Sequence, residues 1–107
     1  MIKAVYHRKY HTLTVEGHAH SAEPGQDLVC AAASAIAYTL AANAETLFAQ
    51  GAVRKPEIRM EPGNTEIRCR SVSRFKATVT LVFDSVCLGL DILSQQYPEN
   101  ISYEIHD

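Results

Sequence analysis

Two side chains in this sequence have the types and spacing for covalent chemistry: His18 and, twelve residues later, Cys30. They lie in the stretch GHAHSAEPGQDLVCAAASA, residues 17–35. A histidine at the end of an apparent strand leads into a polar loop carrying Pro24 and Gly25. The cysteine then falls in the first turn of an alanine-rich helix. An imidazole within hydrogen-bond reach of a thiol is the minimum for a cysteine nucleophile. The thiolate attacks a carbonyl carbon and the imidazolium protonates the leaving amine. With Asp27 as N-cap, Cys30 stands at the third helical position. The free amides and partial positive charge of a helix N-terminus favour a thiolate there, and the amides suit an oxyanion. Ser34 follows one turn later on the same face.

Two other readings of the same residues stay open at this point. Cysteine is among the most buried residue types, so Cys30 can be helix filler. His18, His20 and Cys30 can also supply three ligands to zinc and leave one position for water. The other cysteines, Cys69 and Cys87, sit at apolar-periodic positions without an adjacent histidine and read as filler. His11 and His20 read as surface residues. His7 and His106 lie in strands and join no constellation.

The elements that must position these groups follow from periodicity. Ile2–Arg8 and Thr12–Gly17 read as strands joined by a tight turn, with Leu13 and Val15 alternating against a wet face of Thr12, Thr14 and Glu16. Asp27 opens a long helix whose apolar positions, Val29, Ala32, Ala33, Ile36, Leu40, Ala44, Leu47 and Phe48, step by three and four; Gly51 closes it. PEIRM and TEIRCRSV, separated by EPGN, form a hairpin. KATVTLVF has the β-branched content of a strand. The longer series Phe75, Val79, Val82, Phe83, Val86, Leu90, Leu93 and Tyr97 makes it a helix ended by Pro98. ISYEI is the last strand. The order β-β-α-β-β-α-β predicts an α/β fold, a single-domain sandwich of one sheet layer on one helix layer over residues 1–107. Leu88, Leu90 and Leu93 exceed one apolar stripe, and the surplus covers either a partner or more of the same core.

Composition narrows the classes further. A chain of 107 residues with 47% hydrophobic and 21% charged residues is an ordinary globular mix that holds a core without disulfides. Three unspaced cysteines argue against a disulfide framework and a zinc knuckle. The formal net charge is −2, and no run of Lys/Arg is longer than two, so no direct nucleic-acid partner is expected. MIKAVYHRKY lacks a signal-peptide core, and no apolar run is expected to reach the roughly 18 residues of a membrane span. The expectation is a cytoplasmic protein with reduced thiols, no membrane partner, no cofactor and no metal.

The run GHA, then the loop, then G-x-D-[LIV]-V-C-A-[AG]-x-S-A resembles the ribosomal-processing cysteine protease family Prp. The matching residues are Gly17, His18, Ala19, Gly25, Asp27, Leu28, Val29, Cys30, Ala31, Ala32, Ser34 and Ala35. The EPGN hairpin and LGLDILSQQYPENISYEI extend the resemblance over nearly the whole chain. It implies a homodimeric bacterial enzyme that removes an N-terminal extension from large-subunit ribosomal protein twenty-seven, cutting after a phenylalanine. The family's nucleophile falls on Cys30 and its general base/acid on His18, with Asp27 and Ser34 in supporting places. The chain departs from the pattern at His20, where many members have Gly or Asp, and at Pro24, where a bulky residue is common. On this reading the loop Ala19, His20, Ser21, Ala22, Glu23, Pro24, Gly25 is a lid that closes on substrate. Glu16, Glu23 and Asp27 border an acidic cleft for a basic tail, which adds along the sheet edge. The competing class is a non-enzymatic ribosome-associated binding module with a structural Cys30.

Overall fold

The computed structural model describes residues 1–17 and 26–107, with the backbone alone at 26 and 27. The elements are β1 (Ile2–His7), β2 (Thr12–Glu16), α1 (Gln26–Ala49), β3 (Glu57–Glu61), β4 (Asn64–Arg68), α2 (Lys76–Gln96) and β5 (Ile101–His106). Short 3-10 turns stand at Arg8–Tyr10 and Ser73–Phe75. This is the expected order. The five strands form one sheet, β3-β4-β2-β1-β5. Every pairing is antiparallel except β1 with β5, and a parallel neighbour needs a crossover, which α2 supplies.

Alternation sets which sheet face is buried. Ile2, Ala4 and Tyr6 of β1 point into the core while Lys3 is exposed. Leu13 of β2 and Ile67 of β4 join them. Val29, Ala33, Ala37, Leu40, Ala44 and Leu47 form the inner stripe of α1, and Val79, Phe83, Cys87, Leu90 and Leu93 that of α2. Leu90 and Leu93 thus belong to the core, whereas Leu88 faces outward. Where the helices meet, Gly89 lies against Ile36: a Cβ there would come within 3.2 Å of Ile36 Cδ1.

The C-terminus of α1 closes as expected. Gly51 has φ 77°, its amide donates to the Phe48 carbonyl at 3.0 Å, and the Ala52 amide donates to the Leu47 carbonyl at 2.8 Å. That pair of bonds is a Schellman motif. The N-terminus differs from expectation. The helix already includes Gln26, so Asp27 is its second residue rather than its cap, and Cys30 is the fifth. A carboxylate in the first turn is favoured by the helix dipole as well as at the cap, so residue type alone does not fix the boundary.

Two readings of β2 and its turn also change. Thr12 is buried, its hydroxyl donating to the Tyr10 carbonyl at 3.0 Å. His11 is not on the surface. It takes a left-handed conformation (φ 44°) and only 4% of it is exposed. Its Nε2 shares a 2.7 Å hydrogen bond with Thr80 Oγ1, and its ring lies 5.6 Å from that of Phe83. Burial, then the charge of Lys76, holds the imidazole below its ordinary pKa. Beside it, Asp84 ties β1 to α2. Tyr6 donates to its carboxylate at 2.7 Å, and Arg8 donates through Nε and Nη2 at 3.1 Å. Burial opposes the Asp84 charge, but the Arg8 and Tyr6 bonds outweigh it and hold the carboxyl below its ordinary value.

By length and composition, both helices could cross a membrane, with mean hydropathy 1.3 over a window of α1 and 1.6 over one of α2. This corrects the expectation that no apolar run is long enough. Each inner stripe packs on the sheet, and the surplus comes from outward residues: Leu28, Tyr38 and Phe48 on α1, and Leu81, Leu88 and Ile92 on α2.

Candidate active site

Cys30 lines a cleft of about 510 Å³ at the end of the sheet where β1 begins and β2 ends. Three parts of the chain build it. Helix α1 supplies Cys30, Ser34 and Tyr38 at successive turns, with Ala33 and Ala37 beneath them. Ile2, Val15 and Gly17 form the sheet side, and Met60 to Thr65, across the β3–β4 turn, form the far wall. The alanines explain the space, since larger side chains at Ala33 and Ala37 would fill the floor.

The far wall is held by backbone. β2 and β4 pair in a register that sets Glu16 opposite Asn64. The Gly17 amide then donates to the Gly63 carbonyl at 3.1 Å. Pro62 and Gly63, the latter at φ 73°, make the two-residue turn with the residue types its backbone needs. Gly17 itself has φ 132°, and a Cβ there would collide with the Met1 carbonyl and lie 2.9 Å from the Ile2 Cα. No other residue fits this position without moving the backbone at the start of β1.

Cys30 is half-buried, and Ser34 is exposed one turn beyond it on the same cleft. His18, the loop residues Ala19, His20, Ser21, Ala22, Glu23, Pro24 and Gly25, and the side chain of Asp27 lie outside the described residues. Of the expected acidic border, Glu23 and the Asp27 side chain fall among those groups, and only Glu16 can be placed. Among the described residues the cleft acid is Glu61, at the hairpin, and Glu16 does not line it. Among the same residues no three His, Cys, Asp or Glu side chains gather for a metal ion.

The other cysteines are packing residues. Burial, with Glu45 nearby, pushes the Cys69 thiol up to about 11. Burial, with Asp84 nearby, pushes Cys87 up to about 12. Neither lines the Cys30 cleft. Sequence reasoning missed Tyr38 and the Met60–Thr65 wall. Two hairpins are readable as local patterns, but the β2–β4 pairing that brings one hairpin's turn against the other's exit is a long-range choice.

The fold and the sequence both have known relatives. The family model for cysteine protease Prp matches residues 1–102. The chain belongs to the Prp family. A ribosomal processing cysteine protease Prp of Staphylococcus aureus is 28% identical over 87 residues, which are 81% of this chain and 78% of that protein. The crystal structure of the S. aureus Prp with a substrate peptide has a TM-score of 0.71 at 23% identity, covering 97% of this chain and 96% of that one. The same enzyme with a covalently linked product peptide gives 0.68, also at 23% identity, with 97% and 96% covered. A crystal structure from Streptococcus mutans gives 0.69 at 24% identity, with 98% and 91% covered. These structures share the five-stranded, two-helix fold. Prp members are cysteine proteases, so the reading of a non-enzymatic module gives way.

Proposed function

We propose that this chain removes the N-terminal extension of bacterial large-subunit ribosomal protein twenty-seven, with Cys30 as nucleophile and His18 as general base/acid. The observation that carries the reading is Cys30 on an open cleft near the start of α1, in a chain of the Prp family. The Cys30 thiolate adds to the scissile carbonyl carbon, and helix-start amides receive the oxyanion. The C–N bond breaks as the His18 imidazolium gives its proton to the leaving amine. Water, deprotonated by His18, then attacks the thioester carbonyl. The C–S bond breaks, the extension leaves as a carboxylic acid, and the thiol is restored. Ser34 supports the site from one turn away. Asp27 does so from the first turn of α1.

Support for a peptide substrate comes from the shape of the cleft and from relatives. The apolar floor and the polar rim of Glu61, Asn64 and Thr65 suit an extended chain, and β3 is an edge strand that can accept one by strand addition. Glu61 would attract a basic tail. Residues 19–25 take the lid role by sequence position. That role predicts slowed amide exchange in the segment when a peptide inhibitor binds.

The homodimer rests on the outward helix faces. Leu81, Leu88 and Ile92 follow one stripe of α2, and Leu28 and Tyr38 stand outward on α1. A second copy would take these apolar residues from water. The enzyme is read as cytoplasmic, with its three cysteines kept as thiols.

The test is cleavage, followed by mass spectrometry, of a peptide carrying the extension from the same bacterium. One cut after the phenylalanine, absent in Cys30→Ala, is the expected result. No cut by a folded protein on a confirmed extension would reject the substrate.

A further inference from the structure

The basic residues look scattered in the sequence, but the fold gathers them. A second cavity, of about 230 Å³, lies at the end of the sheet opposite the Cys30 cleft. Lys9 and Tyr10 reach it from the turn after β1, Arg68 from the end of β4, Arg70 and Ser71 from the segment beyond, and Lys76 from the first residue of α2. None of the four cations is ion-paired among the described residues, where the ion pairs involve only Arg8 and His106. Glu57, opposite Arg68 in the β3–β4 register, makes no ion pair with it.

Three further observations give this cavity a preference. Arg68 Nε is buried with no hydrogen-bond partner among the described residues, and leaving a buried donor unmet is costly. Helix α2 starts here without a side-chain cap and without an acidic residue in its first turn. A phosphate group supplies the missing negative charge, within reach of the side-chain donors of Lys9, Arg70 and Lys76. The third observation concerns what the phosphate is attached to. Tyr10 is 59% exposed at the rim, a face on which a base can stack. The cations also continue past the cavity. The Arg54 amide donates to the Arg70 carbonyl, which brings Arg54 and Lys55 alongside, and Arg74 precedes α2. A line of cations with an aromatic beside it suits successive phosphates better than one free ion.

We propose that this end of the molecule binds RNA, with one backbone phosphate in the cavity among Lys9, Arg68, Arg70 and Lys76 and a base on Tyr10. The net charge of −2 conceals the site because it averages over the whole surface. The site lies away from the cleft, so an RNA-bound molecule keeps Cys30 open to peptide.

The experiment is fluorescence anisotropy of a labelled short single-stranded RNA at about 50 and 200 mM salt. Arg70→Gln, Lys76→Gln and Tyr10→Ala are compared with wild type. All three positions are exposed, so the variants should melt like wild type. Each Gln variant is expected to weaken binding several-fold and to flatten the log–log salt slope by about 0.7, one phosphate contact on a single strand. Tyr10→Ala is expected to weaken binding with the slope unchanged. Absent RNA binding overturns the proposal, as does binding that neither Gln variant alters. Equal binding of a poly-glutamate peptide would point to an acidic protein partner instead. Arg70-dependent stabilisation by inorganic phosphate with no RNA binding would point to a free anion.

Discussion

Cys30 and Ser34 share a helix face with Tyr38, and all three open onto one cleft. The Cys30–Ser34 part of that face was readable from the sequence because helical periodicity is local; Tyr38, a turn further on, was not. Cys30→Ala is expected to lower peptide cleavage about a thousandfold or more while leaving the melting temperature near wild type, since the side chain is half-buried at a cleft wall. Unchanged turnover in that variant would remove Cys30 from the mechanism. His11 is the opposite case. Nothing local marks it for burial, because its surroundings, Thr80 and Phe83, come from α2. Its imidazole is held below the ordinary value, so its contribution to stability is complete above about pH 6.5 and is lost as pH falls from there through the folded value. The melting temperature should therefore drop as pH falls below about 6.5, and His11→Gln should flatten that drop. Equal slopes for the two proteins would contradict the assignment.

At the scale of elements, the order of strands and helices was legible, since each has its own period and its own stop signal. Gly51 ended α1 where the Schellman bonds close it, and Pro98 follows the last turn of α2. The start of α1 was not legible to the residue, because Gln26 continues the helix past the acidic residue chosen as its cap. Sheet order was hidden as well. The β2–β4 pairing makes Gly17 both an exit from the sheet and an anchor for the hairpin turn. Two glycines with positive φ give a controlled comparison. Gly17→Ala meets the Met1–Ile2 backbone and is expected to cost about 1–3 kcal/mol and most of the cleavage activity. Gly51→Ala meets open space, so it should cost about 1 kcal/mol and leave activity intact. Chemical denaturation and peptide turnover read both, and equal activity losses would mean that Gly17 serves the fold alone. The Asp84 link between β1 and α2 makes a further test. Its carboxyl is held below the ordinary value, so its stabilisation is complete above about pH 4 and fades as pH falls through the folded value. Asp84→Asn should cost about 1 kcal/mol near neutrality, after allowance for solvent screening, and progressively less in acid.

For the whole molecule, a two-layer fold leaves one side of its helix layer uncovered. The apolar surplus of α2 was visible in the sequence, but its direction was not. Leu90 and Leu93 turn inward, and Leu88 joins Leu81 and Ile92 outside. If a second copy covers this face, Leu88→Glu should convert a dimer to a folded monomer in sedimentation velocity. A wild-type monomer at micromolar concentration would reject that arrangement. The distribution of charge was equally hidden, because cations from separate segments meet only after β1, β4 and α2 are placed.

The contrast among the three thiols has a practical consequence. Cys69 and Cys87 are buried and stay protonated well above neutral pH, while Cys30 opens to the cleft. A neutral alkylating reagent applied to the native protein should therefore add one adduct per chain. Intact mass would then count competent sites directly, giving every preparation an internal molar standard against which turnover can be normalised.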